Sequence, residues 1–258
     1  MPPDETWPTS SNFAHRAAIT ATTMRGTMVL VRFLQRLFRT VFQANPAASP
    51  ETLLMPASIE APDGAVPIRL RPLIEEDEYE WSQVRAVNTD WLGPWESTDP
   101  EHGANLTFAQ WIARQRAEEC AGTGIIFAIE YQGVIVGQIS LGAVSFGALR
   151  SGIVGYWVDH RYAGHGFAPL AVTMLADWAM FAPVGPHLHR LGIDILPSNH
   201  RSRRVVEKVQ ATYEGVRRAY MYINGVWEDH ESYAIVAQDA PEGFTKRLLE
   251  RSNSTPPQ

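Results

Sequence analysis

The spacing of hydrophobic positions changes several times along the chain, and each change marks an element. "VPIRLRPL", from Val66, alternates apolar and polar residues and predicts a strand. "EEDEYEWSQVRAVN" sets apolar and aromatic residues among acids and predicts a helix. "NTDWLGPWESTDPEH" is a loop broken by Gly93 and Pro94. "NLTFAQWIARQRAEECA" predicts a second helix. "GIIFAIEYQGVIVGQISLGAVS" holds two apolar runs around Gln132-Gly133, the pattern of a hairpin, and "LRSGIVGYWVD" adds a third strand. "PLAVTMLADWAMF" reads as helix and "HRLGIDILP" as strand. "NHRSRRVVEKVQA" is a helix opened by Asn199, a favourable N-cap. "YEGVRRAYMYINGVWEDHESYAIVA" is a last hairpin turning at Asn224-Gly225. The order is strand, two helices, three strands, helix, strand, helix, two strands. That order predicts a mixed sheet of about seven strands with helices packed on it, an α/β (α+β) architecture.

The pattern upstream of Val66 is different. Pro, Ser, Thr and Ala dominate, and no acid occurs between Glu5 and Glu51. Within this stretch "TMVLVRFLQRLFRTVF" puts Arg32, Arg36 and Arg39 on one face of a helix, with apolar residues over much of the remainder. The segment is short and charged, whereas a membrane span needs about 20 apolar residues. Residues 27–42 therefore read as a basic amphipathic helix. It is a weak membrane-surface or partner contact, a targeting segment, or part of an extension trimmed by a start at Met28 or Met55. The expected organisation is an N-terminal extension and linker over residues 1–65, a catalytic domain over 66–240 and a tail over 241–258. The tail is helical at most before it ends in "SNSTPPQ".

Composition narrows the function. Hydrophobic residues make up 45% of 258, enough for a sizeable core. The single cysteine, Cys120, excludes an intrachain disulfide and a cysteine-rich zinc site, and fits a cytoplasmic location. The net charge is -6. Residues 1–50 hold five arginines against Asp4 and Glu5, a net +3, which leaves -9 for the rest. An acidic body argues against nucleic-acid binding and suits a basic protein or an amine.

Candidate chemistry concentrates at Arg161-Tyr162-Ala163-Gly164-His165-Gly166, where a strand gives way to a helix. The first turn of a helix has unpaired N–H groups and a partial positive charge. Glycines let a phosphate come close to them, and Arg161 and His165 add charge. The loop reads as an anion cradle, with a plain tight turn as the alternative. It is neither a P-loop, which needs Gly-Lys-Ser/Thr, nor the dinucleotide fingerprint, which would need glycine at Pro169.

Arg-x-x-Gly-x-Gly between a strand and a helix resembles the acetyl-coenzyme A loop of the GNAT N-acetyltransferases. "GYWVDHRYAGHG", "HRLGIDILPSNHRSRRVVEK" and "YINGVWEDHESYAI" resemble the RimJ/RimL ribosomal-protein-alanine acetyltransferases, and "NTDWLGPWE" and "LRSGIVGYWVD" their actinobacterial members. The likeness covers roughly Val66 to Gln238. It implies the GNAT fold and acetyl-CoA as co-substrate, with no metal. It places the pyrophosphate on the backbone from Ala163 through Gly164, His165, Gly166 and Phe167 to Ala168, beside Arg161. It places the pantetheine along Tyr156, Trp157 and Val158, in a gap where this strand splays from "HRLGIDI". The Val158 N–H then polarises the thioester carbonyl. Asn199 and Ser202 match the family's Asn-x-x-Ser, Asn199 holding the pantetheine arm or a water and Ser202 protonating the departing sulfur. Trp91, Trp95 and Tyr222 wall the amine pocket.

Two departures accompany the likeness. The glutamate that some relatives carry before the last-hairpin tyrosine is Met221 here, so Glu96, as a partly buried acid with a raised pKa, is the first substitute for the base. Asp229 reads as structural. Lys208-Val209-Gln210-Ala211 stands where the family has Lys-Leu-Gly-Phe. His187 and His189 read as a strand start, not as metal ligands. The resemblance implies a monomer or homodimer that acetylates a primary amine, foremost the N-terminal amine of a ribosomal protein. The alternatives are acetylation of a small amine and a non-catalytic acyl-CoA-binding module.

Overall fold

The computed structural model describes residues 53–101 and 106–254. The basic helix expected over residues 27–42 lies outside them. The strands are β1 (Ile59–Glu60), β2 (Ile68–Pro72), β3 (Ile125–Tyr131), β4 (Val134–Ser145), β5 (Ser151–Val158), β6 (Arg190–Ile195), β7 (Thr212–Ile223) and β8 (Val226–Val236). The helices are α1 (Glu78–Val87), α2 (Thr89–Leu92), α3 (Phe108–Cys120), α4 (Phe167–Phe181), α5 (His200–Lys208) and α6 (Phe244–Ser254). The strands form one sheet in the order β1-β2-β3-β4-β5-β6-β8-β7. Seven of these strands match the sequence pattern. The eighth, β1, comes from the stretch read as linker; two residues are too few to show alternation.

Helices cover both faces. The side chains of β3 alternate between them: Ile125, Phe127 and Ile129 join the core under α4, while Ile126 and Ala128 join a smaller cluster with Phe108, Ile112 and Trp81 under α1 and α3. That is why "IIFAI" is unbroken apolar sequence. α4 is buried on nearly all sides, as its apolar sequence requires. The tail's helix α6 docks on α4, where the Asp177 carboxylate accepts the Phe244 N–H at 2.6 Å and the Thr245 N–H at 3.0 Å. Both expected hairpin turns form, with Gln132-Gly133 and Asn224-Gly225 all at positive φ. The stretch expected as a loop at Asn88–Trp95 is wound into α2 and a short 3₁₀ turn, Gly93–Trp95.

The feature that positions the site is the junction of β5 and β6. All other neighbouring strands run antiparallel. β5 and β6 are parallel and pair only at Ser151↔Arg190, Gly152↔Leu191 and Ile153↔Gly192. Beyond that rung they splay, and the rest of β5 has an open edge.

Candidate active site

The loop after β5 is built around a buried acid. Asp159 accepts the Arg161 N–H at 3.0 Å and its Nε at 2.8 Å. Asn88 accepts the next residue's N–H, His160, at 2.9 Å. Burial alone would raise the Asp159 pKa, but the Arg161 and Asn88 hydrogen bonds outweigh it and hold the acid below its usual range. The Arg161 guanidinium is turned back onto this acid and does not line the cleft beside the loop. The His165 side chain is also absent from the lining and lies edge-on to Phe167 at 6.3 Å.

The glycines work through their backbone. Gly164 and Gly166 have φ of +87° and +84°, and a Cβ on either would meet open space. Left-handed conformation, not crowding, demands glycine here. The N–H groups of Gly164, His165 and Gly166 pair with no described residue. Those of Phe167 and Ala168 belong to the first turn of α4, where no helical partner exists. The Ala163 N–H is already spent on the His160 carbonyl at 3.2 Å. The cradle thus begins one residue later than the sequence suggests. Its geometry fits a pyrophosphate: a run of free donors, at a helix N-terminus, with no side chain in the way.

A cleft of about 510 Å³ runs from this cradle along the open edge of β5, at Tyr156–Val158, to α5. The free edge of β5 can be derived from the ladder. The Asp159 N–H donates to the Val136 carbonyl at 2.8 Å, so these two form a hydrogen-bonded pair. Alternation then places Val158 and Tyr156 at non-hydrogen-bonded pairs with β4, their N–H and C=O groups turned into the gap. The Val158 carbonyl is taken by Trp91 Nε1 at 3.1 Å, which ties α2 to the gap. Asn199 caps α5, its Oδ1 accepting the Ser202 N–H at 3.1 Å, and both residues line the cleft. The Tyr156 hydroxyl is buried near Ser202 without a partner at hydrogen-bonding geometry. Burial pushes its pKa up, and Ser202 offsets this only in part.

The opposite wall comes from α1 and the turns after it. Arg85, Trp91, Trp95 and Glu96 line it, joined by Trp157 of β5. Arg85 lies between the Trp81 and Trp157 rings, 5.6 and 5.4 Å from their centroids, with its pKa lowered by burial. Glu96 is ion-paired with Arg85 and its side chain is 41% exposed. It is thus partly buried, as expected, and it carries an arginine partner that the sequence did not suggest. Tyr222 is not in the lining: its ring packs on Trp227 at 5.5 Å and its carbonyl accepts the Thr98 N–H at 2.9 Å.

Other expectations sort by geometry. Asp229 accepts the Ala219 N–H at 2.7 Å, where Ala219 has a φ of +46°, and so holds an irregularity of β7. Met221 pairs with Glu228 across the hairpin, away from the lining. Among the described residues no group of three or more His, Cys, Asp or Glu is placed to hold a metal, and the His187 carbonyl accepts from Arg150. Arg201, Arg204 and Lys208 line the cleft from α5. Arg201 stacks on Trp91 at 3.6 Å. These cations were missed, although their spacing of three and four puts them on one helical face.

Residues 68–212 match the acetyltransferase (GNAT) domain family. The chain is 30% identical over 177 residues to the probable N-acetyltransferase YjcK of Bacillus subtilis, covering 67% of this chain and 95% of that protein. It is 24% identical over 179 residues to the [ribosomal protein uS5]-alanine N-acetyltransferase of Escherichia coli, covering 67% and 90%. Among solved structures it is similar to Mycobacterium smegmatis RimJ in complex with CoA-disulfide, at 31% identity and a TM-score of 0.65, covering 79% of this chain and 95% of that one. It is also similar to the ribosomal-protein-S5-alanine acetyltransferase of Vibrio fischeri, at 25% identity and a TM-score of 0.60, covering 71% and 98%.

Proposed function

The chain belongs to the GNAT acetyltransferase family, within its RimJ/RimL-like group, and from that premise we propose that it acetylates the N-terminal α-amine of a ribosomal protein in the cytoplasm. We read it as a member of the type represented by the mycobacterial RimJ, with residues 66–240 as the catalytic domain. Acetyl-CoA supplies an acetyl group activated as a thioester. The N–H groups from Gly164 to Ala168 bind the pyrophosphate, and Arg201, Arg204 and Lys208 neutralise further phosphate charge from α5. The open edge at Tyr156 and Val158 holds the pantetheine, with Asn199 on the facing helix. The Val158 N–H polarises the thioester carbonyl, and the Ser202 hydroxyl gives a proton to the departing sulfur. Trp91 and Trp95 wall the acceptor side without Tyr222, together with the Arg85–Glu96 ion pair.

The observation that carries this reading is the single cleft that joins the N–H cradle, the open edge of β5 and Ser202. The test follows free-thiol release from acetyl-CoA, using N-terminal ribosomal-protein peptides and small amines with the wild type and Gly164→Trp. Release with the peptides, reduced at least 100-fold in Gly164→Trp, is expected. Release only with small amines moves the function to small-molecule acetylation. Binding of acetyl-CoA without release to any acceptor identifies a non-catalytic module.

A further inference from the structure

Tyr156 carries a hydroxyl that the resting fold does not use. On β5 the side chains of Val154 and Val158 belong to the core under α4, and the Tyr156 side chain between them packs on the same core. Tyr156 and Ser202 line the same cleft. The Tyr156 hydroxyl is closed off from solvent and has no hydrogen-bond partner among the described residues. Ser202 is the side chain whose polar group bears on it. The Asn199 cap accepts the Ser202 N–H at 3.1 Å, which fixes the serine backbone and leaves its hydroxyl to turn. A buried hydroxyl without a partner is unfavourable by about 1–3 kcal/mol. Phenylalanine would fill the same space without that cost, so stability does not account for the oxygen.

We propose that Tyr156 is a positioning residue whose O–H donates to Ser202 Oγ once acetyl-CoA fills the cleft, and so aims the serine proton at the departing sulfur. This rests on the reading above, in which Ser202 is the acid. A serine hydroxyl has one proton and two lone pairs. In a helix its proton is also drawn to the carbonyl one turn back. A donor fixed on one lone pair leaves the serine O–H to point into the cleft. The neutral amine attacks the thioester carbon, the C–N bond forms and the C–S bond breaks. The sulfur takes the Ser202 proton, and the Tyr156 O–H stabilises the negative charge left on Oγ. The proton that the acylated nitrogen releases then returns to Oγ through solvent. Tyr156 keeps its own proton throughout, because burial holds its pKa above the ordinary tyrosine value. The tyrosine hydroxyl touches neither the acetyl group nor the amine; it acts through the serine.

The test is a double-mutant cycle in the full chain with Tyr156→Phe and Ser202→Ala, following thiol release with an Ala-starting peptide. Tyr156→Phe is expected to lose about tenfold in kcat, to bind acetyl-CoA within about twofold of wild type, and to melt no lower than wild type. Ser202→Ala is expected to lose about 100-fold. In the Ser202→Ala background, Tyr156→Phe should change kcat less than about twofold, since a residue that acts through the serine has nothing left to act on. An equal loss in both backgrounds overturns the proposal. So does wild-type kcat in Tyr156→Phe beside a loss in Ser202→Ala, which leaves the acid reading standing. Wild-type turnover in Ser202→Ala overturns the acid reading and the proposal with it. A second readout needs no turnover. In protein labelled with tyrosine carrying carbon-13 at Cζ, the signal missing from Tyr156→Phe marks Tyr156. Acetyl-CoA should shift that signal in wild type and by a smaller amount in Ser202→Ala. The same shift in both proteins overturns the proposal, even where the wild type acetylates no peptide.

Discussion

Arg161 shows how one contact redirects a residue's role. As a sequence letter it stands beside a glycine loop and reads as a phosphate ligand. In the fold, Asp159 two residues earlier is fully buried and takes the guanidinium as its partner. That pairing depends on the tight turn at His160–Tyr162, which no periodicity announces. The acid–base consequence has a definite sign. The folded-state pKa of Asp159 lies below its ordinary value. Its contribution to stability is therefore fully present above about pH 4, the unfolded carboxylate range, and is lost as pH falls through the depressed folded value. In Arg161→Ala the burial that opposes ionisation loses its main counterweight. The Asp159 pKa should rise, and the acid unfolding midpoint should move to higher pH. Circular dichroism across pH 2 to 6 measures this; an unmoved midpoint excludes the Arg161–Asp159 pair as a determinant of acid stability. Glu96 illustrates the same limit on reading sequence: its partner Arg85 is eleven positions away on a different element.

At the level of elements, legibility followed length and periodicity. The two hairpins, the Asn199 cap and the apolar helix α4 were each written in local pattern. The strand β1 was too short for a pattern, and α2 was hidden because Gly93 and Pro94 read as loop punctuation although Pro94 sits in a 3₁₀ turn. The absence of Tyr222 from the cleft lining was not legible, because a strand pattern fixes which face a residue takes but not which residues reach a cleft. The end of α5 gives a sharper case. Gln210 follows that helix at a φ of +57°, with the Ala211 N–H donating back to the Val206 carbonyl at 2.9 Å. This is a left-handed helix stop made without the glycine that usually supplies it. The conformation disfavours a residue with a Cβ by about 1 kcal/mol or more. Gln210→Gly should therefore stabilise the protein by about 1 kcal/mol in urea denaturation and leave acetyl-CoA turnover unchanged. A neutral or destabilising result means that the glutamine side chain contributes something the helix stop alone does not explain.

For the whole molecule, the question is where the folded catalytic body begins. Composition changes at Val66, and the sequence pattern sets the boundary there. The physical contacts begin earlier. Leu53 is 4% exposed within the main core, and its N–H donates to the Glu119 carbonyl at 3.3 Å. Ile59 and Glu60 pair with Leu70 and Arg69, and Met55, Ile59 and Ala61 pack on the same core. Burying one leucine contributes about 1.5–3 kcal/mol. β1 also covers the edge of β2, which would otherwise expose a row of unpaired backbone groups. Two deletions separate the compositional boundary from the physical one. A chain starting at residue 53 keeps all of these contacts, whereas one starting at residue 66 loses them together. For a body of this size, each kcal/mol shifts Tm by about 2–4 °C. The shorter chain should therefore melt about 10 °C below the longer one and tend to associate through the bared edge of β2. Acetyl-CoA binding should survive in both at a temperature where both are folded, because three strands, β2, β3 and β4, separate β1 from β5, and no residue from 53 to 65 lines the cleft. Equal melting temperatures would place the boundary at the compositional change after all, and would mean that the packing of residues 53–65 adds nothing to the stability of the body.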